Sequence, residues 1–456
     1  MDIAKTFETF CNKIHLDSTE RFDISIKEIA KKLNKKYYNS SSDSEHLYIV
    51  GSIGRETAVD GVSDVDVIFD LPAYVYTKFN NYETNGQSAL LQEVKNELLD
   101  RYPKTTIKGD GQVVSIQFTG YTIELVPGFR QNNDTFKYPD SNDGGSWKIT
   151  DPIPEQDASK GKAVETNDNF MRMCNMLRAW KNNVGFKFGG LLTDTLVFNY
   201  FERYPNYISA DFSDYADFLK DVFLFLSRED SEKKYWFALG SNQQVYNTGN
   251  GSFVRKAEKA FSKINNANEN ELDDVFSELF GHTFSSSITR SASVVDARCF
   301  SASLEANQFH SSALNENFIE DMFPVDIQEE LSIDCKVTQD GFRPFFLSSI
   351  INRPLRRWLS KNKSLAFSVE STSVKKPYDI YWKVRNCGPE AIKRKMERGS
   401  IFKGNETRTE HTDFNGEHYV ECYIVKNGVC VARSRITVPI NIDYNDMEHK
   451  VLSYEQ

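Results

Sequence analysis

Two aspartates separated by a single residue are the feature of this sequence most suited to chemistry. Asp64 and Asp66 lie in the stretch SDVDVIFDL, which has the composition of a short apolar strand. Because alternate residues of a strand point the same way, both carboxylates share one face while Val65 and Val67 face the core. Two such carboxylates repel each other unless a cation lies between them. The pattern predicts a Mg²⁺ site, for which Mn²⁺ can substitute, because Mg²⁺ combines one or two carboxylates with phosphate oxygens and water.

A third acidic residue follows on a later predicted strand. Glu124 lies in TIELVP, where Ile123 and Leu125 take the opposite face. Two-metal phosphoryl transfer places ions on both the attacking and the leaving oxygen, and a further carboxylate helps to hold them. Asp64, Asp66 and Glu124 are therefore the predicted catalytic and metal-binding residues.

A Gly-Ser pair precedes the aspartates and is the predicted phosphate site. Gly51 and Ser52 follow the strand LYIV and open a predicted helix, whose first N–H groups can receive a triphosphate. Glycine at position 51 lets the backbone approach a phosphate closely. The alternative is that Ser52 is an ordinary helix N-cap and that the aspartates lie at a solvated strand end.

The order of these residues resembles the nucleotidyltransferase fold of DNA polymerase beta. More narrowly, it resembles the bacterial cyclic-oligonucleotide synthases (CD-NTases, SMODS type) of antiphage defence, relatives of cyclic GMP–AMP synthase. GSWKITDP (residues 145–152) and the helix MLRAWKNN fit the same layout, and the resemblance covers roughly residues 1–280. It implies an α+β fold, with a polymerase-beta-like palm and a helical lobe.

The resemblance also implies nucleotide contacts from the helical lobe, by Arg178, Lys181 and Thr193. Two positions depart from the family pattern: the third acid is usually Asp, where this chain has Glu124, and Arg178 replaces the usual Lys. Arg178 and Lys181 lie three apart on one helical face, which suits either phosphate contact or a solvated face. Trp147 could stack on a base, although a structural tryptophan is the simpler interpretation.

The C-terminal part changes to short strands with a period of two. Asn427-Gly428 supplies the positive-φ pair of a type I′ hairpin turn in IVKNGVCV. This spacing predicts an Ig-like β-sandwich. YWKVRN and HYVECYIVKNG resemble the AGS-C domain, a proposed ligand sensor of such synthases. A structural role, such as a buried core tryptophan or a satisfied strand histidine, is the favoured interpretation of each polar and aromatic ligand candidate there; the candidates are Trp382, Lys383, Arg385, Asn386 and His418.

These patterns divide the chain into five predicted regions. They are a palm with an N-terminal helix (1–150), a helical lobe (151–282), a Ser-rich linker (283–316), the AGS-C-like sandwich (317–442) and a flexible tail (443–456). The tail carries Ser453 and Tyr454, hydroxyls that could prime polymerisation on the protein itself; a frayed terminus is the alternative.

Composition narrows the class of protein. The 456 residues carry a formal net charge of −10, which argues against a broad duplex-binding surface. The seven cysteines include no CxxC pair, so we expect reduced, mostly buried thiols in a cytoplasmic protein and no zinc site. No apolar run is long enough for a membrane span.

The expected function is Mg²⁺-dependent, template-independent polymerisation of nucleoside triphosphates into a signalling oligonucleotide in bacterial antiphage defence. The pairing with AGS-C also resembles Hailong-type nucleotidyltransferases, which implies DNA oligomers that act on a partner effector protein such as a membrane channel. Cyclic and linear, ribo- and deoxyribonucleotide products all stay open. The alternatives are transfer of one nucleotide to a tRNA, a protein or a small molecule, and a non-catalytic nucleotide sensor.

Overall fold

The computed structural model describes residues 2–288, 316–339, 341–351, 359–387 and 389–440. The chain forms two compact units, one of residues 1–183 with 187–290 and the other of residues 184–186 with 291–456. Most of the predicted linker and all of the predicted tail, with Ser453 and Tyr454, lie outside the described residues.

The first unit is built on a seven-stranded mixed sheet. Strands β1, β2, β5, β4 and β3 lie side by side in that order, and β6 and β7 extend the sheet from β5. The pair β2 and β5 is parallel, whereas the other neighbours are antiparallel. The strands are β1 (Leu47–Ile49), β2 (Asp64–Asp70), β3 (Thr106–Asp110), β4 (Val113–Phe118), β5 (Tyr121–Arg130), β6 (Phe136–Asp140) and β7 (Ser146–Thr150).

Five helices accompany this sheet: α1 (Ile3–Ile14), α2 (Glu20–Tyr38), α3 (Gly51–Gly54), α4 (Ala73–Asn80) and α5 (Gly86–Arg101). The predicted alternation in β2 is confirmed, because Val65, Val67 and Phe69 are fully buried in the core shared with α2 and α5. The opposite face of the strand carries Asp64 and Asp66, followed by the buried Ile68 and by Asp70.

The rest of the first unit is mainly helical, as predicted. Its helices are α6 (Pro152–Glu165), α7 (Asn169–Val184), α8 (Gly190–Arg203), α9 (Tyr215–Ser227), α10 (Ser252–Asn266), α11 (Leu272–Phe280) and α12 (His282–Ser285). A two-stranded hairpin that the sequence pattern did not indicate interrupts them, with strands β8 (Tyr235–Phe237) and β9 (Gln244–Tyr246). Aromatic side chains such as Trp180 and Phe223, 4.8 Å apart by ring centroid, fill the interior between the helices.

The second unit contains two four-stranded antiparallel sheets that share one hydrophobic core. One has the order β11-β10-β12-β15, the other β14-β13-β16-β17. Its elements are α13 (Ile319–Met322), β10 (Leu331–Thr338), β11 (Phe345–Phe346), α14 (Ser348–Ile351), β12 (Ser364–Thr372), β13 (Asp379–Arg385), α15 (Pro389–Arg394), β14 (Arg398–Gly404), β15 (Thr407–His411), β16 (Gly416–Lys426) and β17 (Val429–Ile440). The predicted hairpin between β16 and β17 is confirmed, with φ of 54° at Asn427 and 80° at Gly428.

The structure also bears on the predictions about the cysteines and about membrane spans. The six cysteines among the described residues are free thiols, and all except Cys387 are buried. In the part of the chain that is described, no helix combines the length and apolar character that crossing a membrane requires.

Candidate active site

The parallel pairing of β2 and β5 places two of the predicted carboxylates side by side. In the register of these strands, Asp66 lies opposite Glu124 and Asp64 lies opposite Thr122. Ile123 and Leu125 are fully buried on the other face of β5. The sheet therefore presents Asp66 and Glu124 on one surface, with Asp64 two residues along the same strand.

The pKa of Glu124 reflects its burial and its proximity to Asp66. Burial, reinforced by the negative charge of Asp66, raises the pKa of Glu124 to about 7. A carboxyl whose charged form is disfavoured by desolvation and by a like charge becomes a good ligand once a cation supplies compensating charge. Carboxylate oxygens beside a phosphate site are the donor set that Mg²⁺ prefers.

The Gly51 turn packs directly against this surface. Gly51 has a φ of 64°, and a β-carbon built on it would overlap the Asp66 carboxylate. The Val50 N–H donates to the Asp66 carbonyl oxygen at 2.9 Å, which fastens the turn to β2. The predicted helix does begin at Gly51, but α3 is a single turn, so its dipole is much smaller than that of a full helix. The predicted phosphate site would therefore depend on close approach of the backbone and of the half-buried Ser52, and it stays a prediction.

The donor chemistry fits a divalent cation, with Asp64, Asp66 and Glu124 as the residues that would hold it. Within the described residues, no three His, Cys, Asp or Glu side chains are gathered closely enough to count as a formed metal centre. Mutual repulsion of the carboxylates opposes such gathering when the compensating charge is lacking. The metal site stays a prediction.

The predicted contacts of Arg178 and Thr193 with the triphosphate stay predictions, and the structure gives both side chains internal partners. Arg178 is 5% exposed and donates to Asp194 Oδ1 at 2.6 Å and Oδ2 at 2.9 Å. Thr193 is fully buried, and its hydroxyl donates to the Gly189 carbonyl oxygen at 3.0 Å. A buried aspartate requires a cationic partner, and Arg178 fills that role. In this structure both side chains are committed to internal partners.

Lys181 on α7 and Trp147 on β7 differ in how far the structure explains them. Lys181 is 5% exposed, and its role in nucleotide binding stays a prediction. Trp147 packs against Tyr76, with ring centroids 4.9 Å apart, and its indole N–H donates to Asn80 Oδ1 at 3.0 Å. These contacts favour the structural interpretation of Trp147.

Three residues of the neighbourhood were missed by sequence reasoning: Arg55, Thr57 and Asp194. Asp194 accepts hydrogen bonds from Arg55 Nε at 2.9 Å and from the Thr57 hydroxyl at 2.8 Å. The available signal was a single charge inside the apolar helix sequence GLLTDTLVF, since a buried carboxylate needs a partner. The partners themselves lie too far away in sequence to be found by pattern.

In the second unit, the ligand candidates are mostly committed to its own structure. Trp382 is fully buried and donates to the Asn405 carbonyl oxygen at 2.8 Å. His418 Nδ1 accepts from the Cys387 N–H at 3.0 Å, and burial lowers the pKa of its imidazole. Lys383 and Arg385 are buried beside Glu316, at 2.9 and 3.3 Å. Asn386 donates to the Met396 carbonyl oxygen at 2.7 Å.

Solved structures similar to the chain are distant and cover its N-terminal part. They include E. coli MS115-1 CdnC in complex with HORMA (16% identity, TM-score 0.48, 62% of this chain and 98% of that one). Others are the Rhodothermus marinus CdnE c-UMP-AMP synthase (15%, 0.43, 58% and 98%) and the Vibrio cholerae di-nucleotide cyclase DncV (10%, 0.43, 64% and 88%). At this distance they carry no argument about activity. No curated protein matches the chain.

Two family models match separate parts of the chain. Residues 1–163 match the Second Messenger Oligonucleotide or Dinucleotide Synthetase domain (SMODS). Residues 314–441 match the Adenylyl/Guanylyl and SMODS C-terminal sensor domain (AGS-C). The first match contains Gly51, Asp66 and Glu124, and the second contains both sheets of the second unit. The chain is a nucleotidyltransferase that carries a SMODS domain followed by an AGS-C domain.

Proposed function

We propose that this chain polymerises nucleoside triphosphates, without a template, into an oligonucleotide second messenger. The observation that carries the proposal is the surface on which Asp66 and Glu124 face each other across parallel strands while the Gly51 turn packs on Asp66. The match of residues 1–163 to a synthetase domain supports it. The α+β first unit serves as the palm and lobe, and an Ig-like arrangement is our proposal for the two sheets of the second unit.

In this proposal the protein's groups divide the reaction between them. The Gly51–Ser52 turn receives the triphosphate, and Lys181 adds a positive charge from α7. An acceptor hydroxyl loses its proton to Glu124 or to solvent and attacks the α-phosphorus; the new P–O bond forms as the bond to the β-phosphate oxygen breaks and pyrophosphate leaves. Mg²⁺ held by Asp64, Asp66 and Glu124 would supply compensation for the charge that develops on the phosphate oxygens.

Two finer parts of the proposal concern the product and its use. The product acts as a signal in antiphage defence by binding a partner effector protein, with a membrane channel as one form of that partner. The product is cyclic or linear, and a linear product needs a starting hydroxyl, for which Tyr454 and Ser453 are our candidates. The AGS-C match supports a regulatory second unit, whose ligand is a separate question.

The test is to identify the product. The purified full-length chain would be incubated with Mg²⁺ or Mn²⁺ and all eight ribo- and deoxyribonucleoside triphosphates, and the products analysed by gel and mass spectrometry before and after protease. We expect an oligonucleotide that is absent with the Asp64→Ala, Asp66→Ala double variant. A small protease-resistant product means free synthesis, whereas a ladder attached to a tail peptide means self-priming.

Other outcomes would change the assignment. A single nucleotide joined to an added tRNA, protein or small molecule would establish the acceptor-transfer alternative. Nucleotide binding by folded protein without pyrophosphate from any triphosphate would establish a sensor and contradict synthesis.

A further inference from the structure

A buried polar cluster connects the Gly51–Ser52 turn to the helical lobe. It consists of Arg55 and Thr57, which follow α3, Arg178 on α7, and Asp194 on α8. Thr57 and Asp194 are fully buried, and the two arginines are 5–6% exposed. The cluster therefore lies in the interior of the first unit, between the predicted phosphate site and the helices.

Asp194 is the acceptor at the centre of this cluster. Its two carboxylate oxygens accept from Arg178, from Arg55 Nε at 2.9 Å and from the Thr57 hydroxyl at 2.8 Å. Burial raises the pKa of Asp194, but the charges of Arg178 and Arg55 outweigh it, so that its pKa lies below the ordinary value. Asp194 is thus a fixed negative charge, and its hydrogen-bond donors are held in fixed directions.

Thr57 connects Asp194 to the backbone of Ser52 by hydrogen bonds. Its N–H donates to the Ser52 carbonyl oxygen at 2.9 Å while its hydroxyl donates to Asp194. The same hydroxyl accepts from Arg178 Nη2 at 3.1 Å. Thr57 thus links the backbone of Ser52 to the buried Asp194 carboxylate, through its N–H on one side and its hydroxyl on the other.

Arg55 fastens the same segment at a second point. Its N–H donates to the Gly51 carbonyl oxygen at 3.1 Å, and its own carbonyl oxygen accepts from the Ser159 hydroxyl on α6 at 2.6 Å. A helix of one turn has too few internal hydrogen bonds to fix its own position. The place of α3 relative to Asp66 therefore depends on contacts on both sides of the helix: the Val50 bond to Asp66 before it and the bonds of Arg55 and Thr57 after it.

We propose that Thr57 is a positioning residue, which through Asp194 holds the Ser52 turn where nucleotide and carboxylates meet. The inference rests on the proposed function of that turn. In this proposal Arg178 contributes to catalysis without contacting the nucleotide, because it holds the Asp194 carboxylate in place and Asp194 in turn holds the Thr57 hydroxyl in place.

The variants that test this differ by single buried hydroxyl groups. Thr57→Val keeps the shape of the side chain, removes the hydroxyl bonds to Asp194 and Arg178 and leaves the backbone bond to Ser52, whereas Thr57→Ser keeps the hydroxyl. The matched control is Tyr215→Phe, which removes a fully buried hydroxyl whose bond goes to Asn169 Oδ1 at 2.6 Å, elsewhere in the lobe. For each variant, pyrophosphate release would be measured as a function of triphosphate concentration, together with thermal unfolding and binding of a non-hydrolysable triphosphate with Mg²⁺.

We expect Thr57→Val to lower kcat/KM by about 10- to 100-fold, the usual effect of a displacement of about 1 Å at a reacting centre. Thr57→Ser should restore kcat/KM to within about threefold, because it keeps the hydroxyl that bonds Asp194, and Tyr215→Phe should leave it within about twofold, because its hydroxyl bonds Asn169 away from the turn. The inference is overturned when Thr57→Val matches the wild type in kcat, KM and triphosphate binding. It is also overturned when the loss in Thr57→Val only follows the loss in melting temperature, as Tyr215→Phe would reveal.

The same set of measurements separates this inference from the proposed function. Wild-type protein that binds the triphosphate but releases no pyrophosphate would contradict the synthase proposal. In that case weaker binding by Thr57→Val, but not by Tyr215→Phe, would still support the positioning role. Wild-type protein that neither turns over nor binds any triphosphate would overturn both.

Discussion

The raised pKa of Glu124 predicts that metal binding at the proposed site releases a proton near neutral pH. A carboxyl must be ionised to bind a cation, so each proton on Glu124 must leave when the metal arrives. With a pKa of about 7, the group carries about 0.9 proton at pH 6 and about 0.1 proton at pH 8. A glutamate with the ordinary pKa would carry only about 0.02 proton at pH 6.

The release can be measured by calorimetric titration of the full-length chain with Mn²⁺ in two buffers of different ionisation enthalpy. We expect about 0.9 proton per bound ion at pH 6 and about 0.1 at pH 8. Below pH 7 the apparent affinity should rise by about tenfold per pH unit, and above pH 7 it should level off, because one proton competes with the metal.

Two variants control for other titrating groups. Glu124→Gln removes the carboxyl with little change of shape, and should weaken Mn²⁺ binding and abolish the release. Asp70→Asn changes a carboxyl at the far end of β2, which accepts from the Arg130 N–H at 2.8 Å, and should leave the release unchanged. The reasoning is refuted if Mn²⁺ binds wild-type protein at pH 6 and less than about 0.1 proton is released per bound ion.

Three other predictions follow from particular contacts. Gly51→Ala should lower pyrophosphate release by at least about 100-fold, because the new methyl group would overlap the Asp66 carboxylate in a φ > 0 backbone; near wild-type turnover would contradict this. Glu421→Ala should lower the free energy of unfolding in urea by about 1.5–3 kcal/mol, since the buried Arg433 loses one of its two carboxylate partners and keeps only Glu320, while the exposed Arg435 loses its carboxylate; a loss below about 0.5 kcal/mol would contradict it. Burial raises the pKa of Glu421, but the charges of Arg435 and Arg433 outweigh burial and lower that pKa to about 2. The stabilisation of the folded state by the ionised Glu421 is therefore complete above the ordinary glutamate pKa near 4.3 and is lost as pH falls towards 2. Glu421→Gln should remove this pH dependence of the free energy of unfolding.

The catalytic strands could be predicted because their signals are local. The alternation of Val65 and Val67 with Asp64 and Asp66 lies within four residues, and the sheet confirms it. The hairpin turn at Asn427-Gly428 is equally local, since both residues must adopt positive φ. The facing of Asp66 and Glu124 was expected only from the resemblance and from their strand periods.

The cluster around Asp194 could not be predicted, because its partners are distant in sequence. Arg55 and Thr57 precede Asp194 by 139 and 137 residues, so no local pattern joins them. The pairing of Arg178 with Asp194 could not be predicted for the same reason: three-residue spacing from Lys181 indicates a shared face but not what covers that face. The short strand β3 and the helix α4 were missed as well, because their sequences are too short or too weakly periodic to indicate an element.

The central claim, that the surface formed by β2, β5 and the Gly51 turn is the site of nucleotidyl transfer, is tested most directly by pyrophosphate release from an Asp66→Asn variant. The comparison is with wild type and with Asp70→Asn, in Mg²⁺ and in Mn²⁺, after thermal unfolding has shown that all three proteins are folded. The account predicts release by the wild type and by Asp70→Asn, and a fall of at least about 100-fold for Asp66→Asn. Equal release by Asp66→Asn and Asp70→Asn would contradict it.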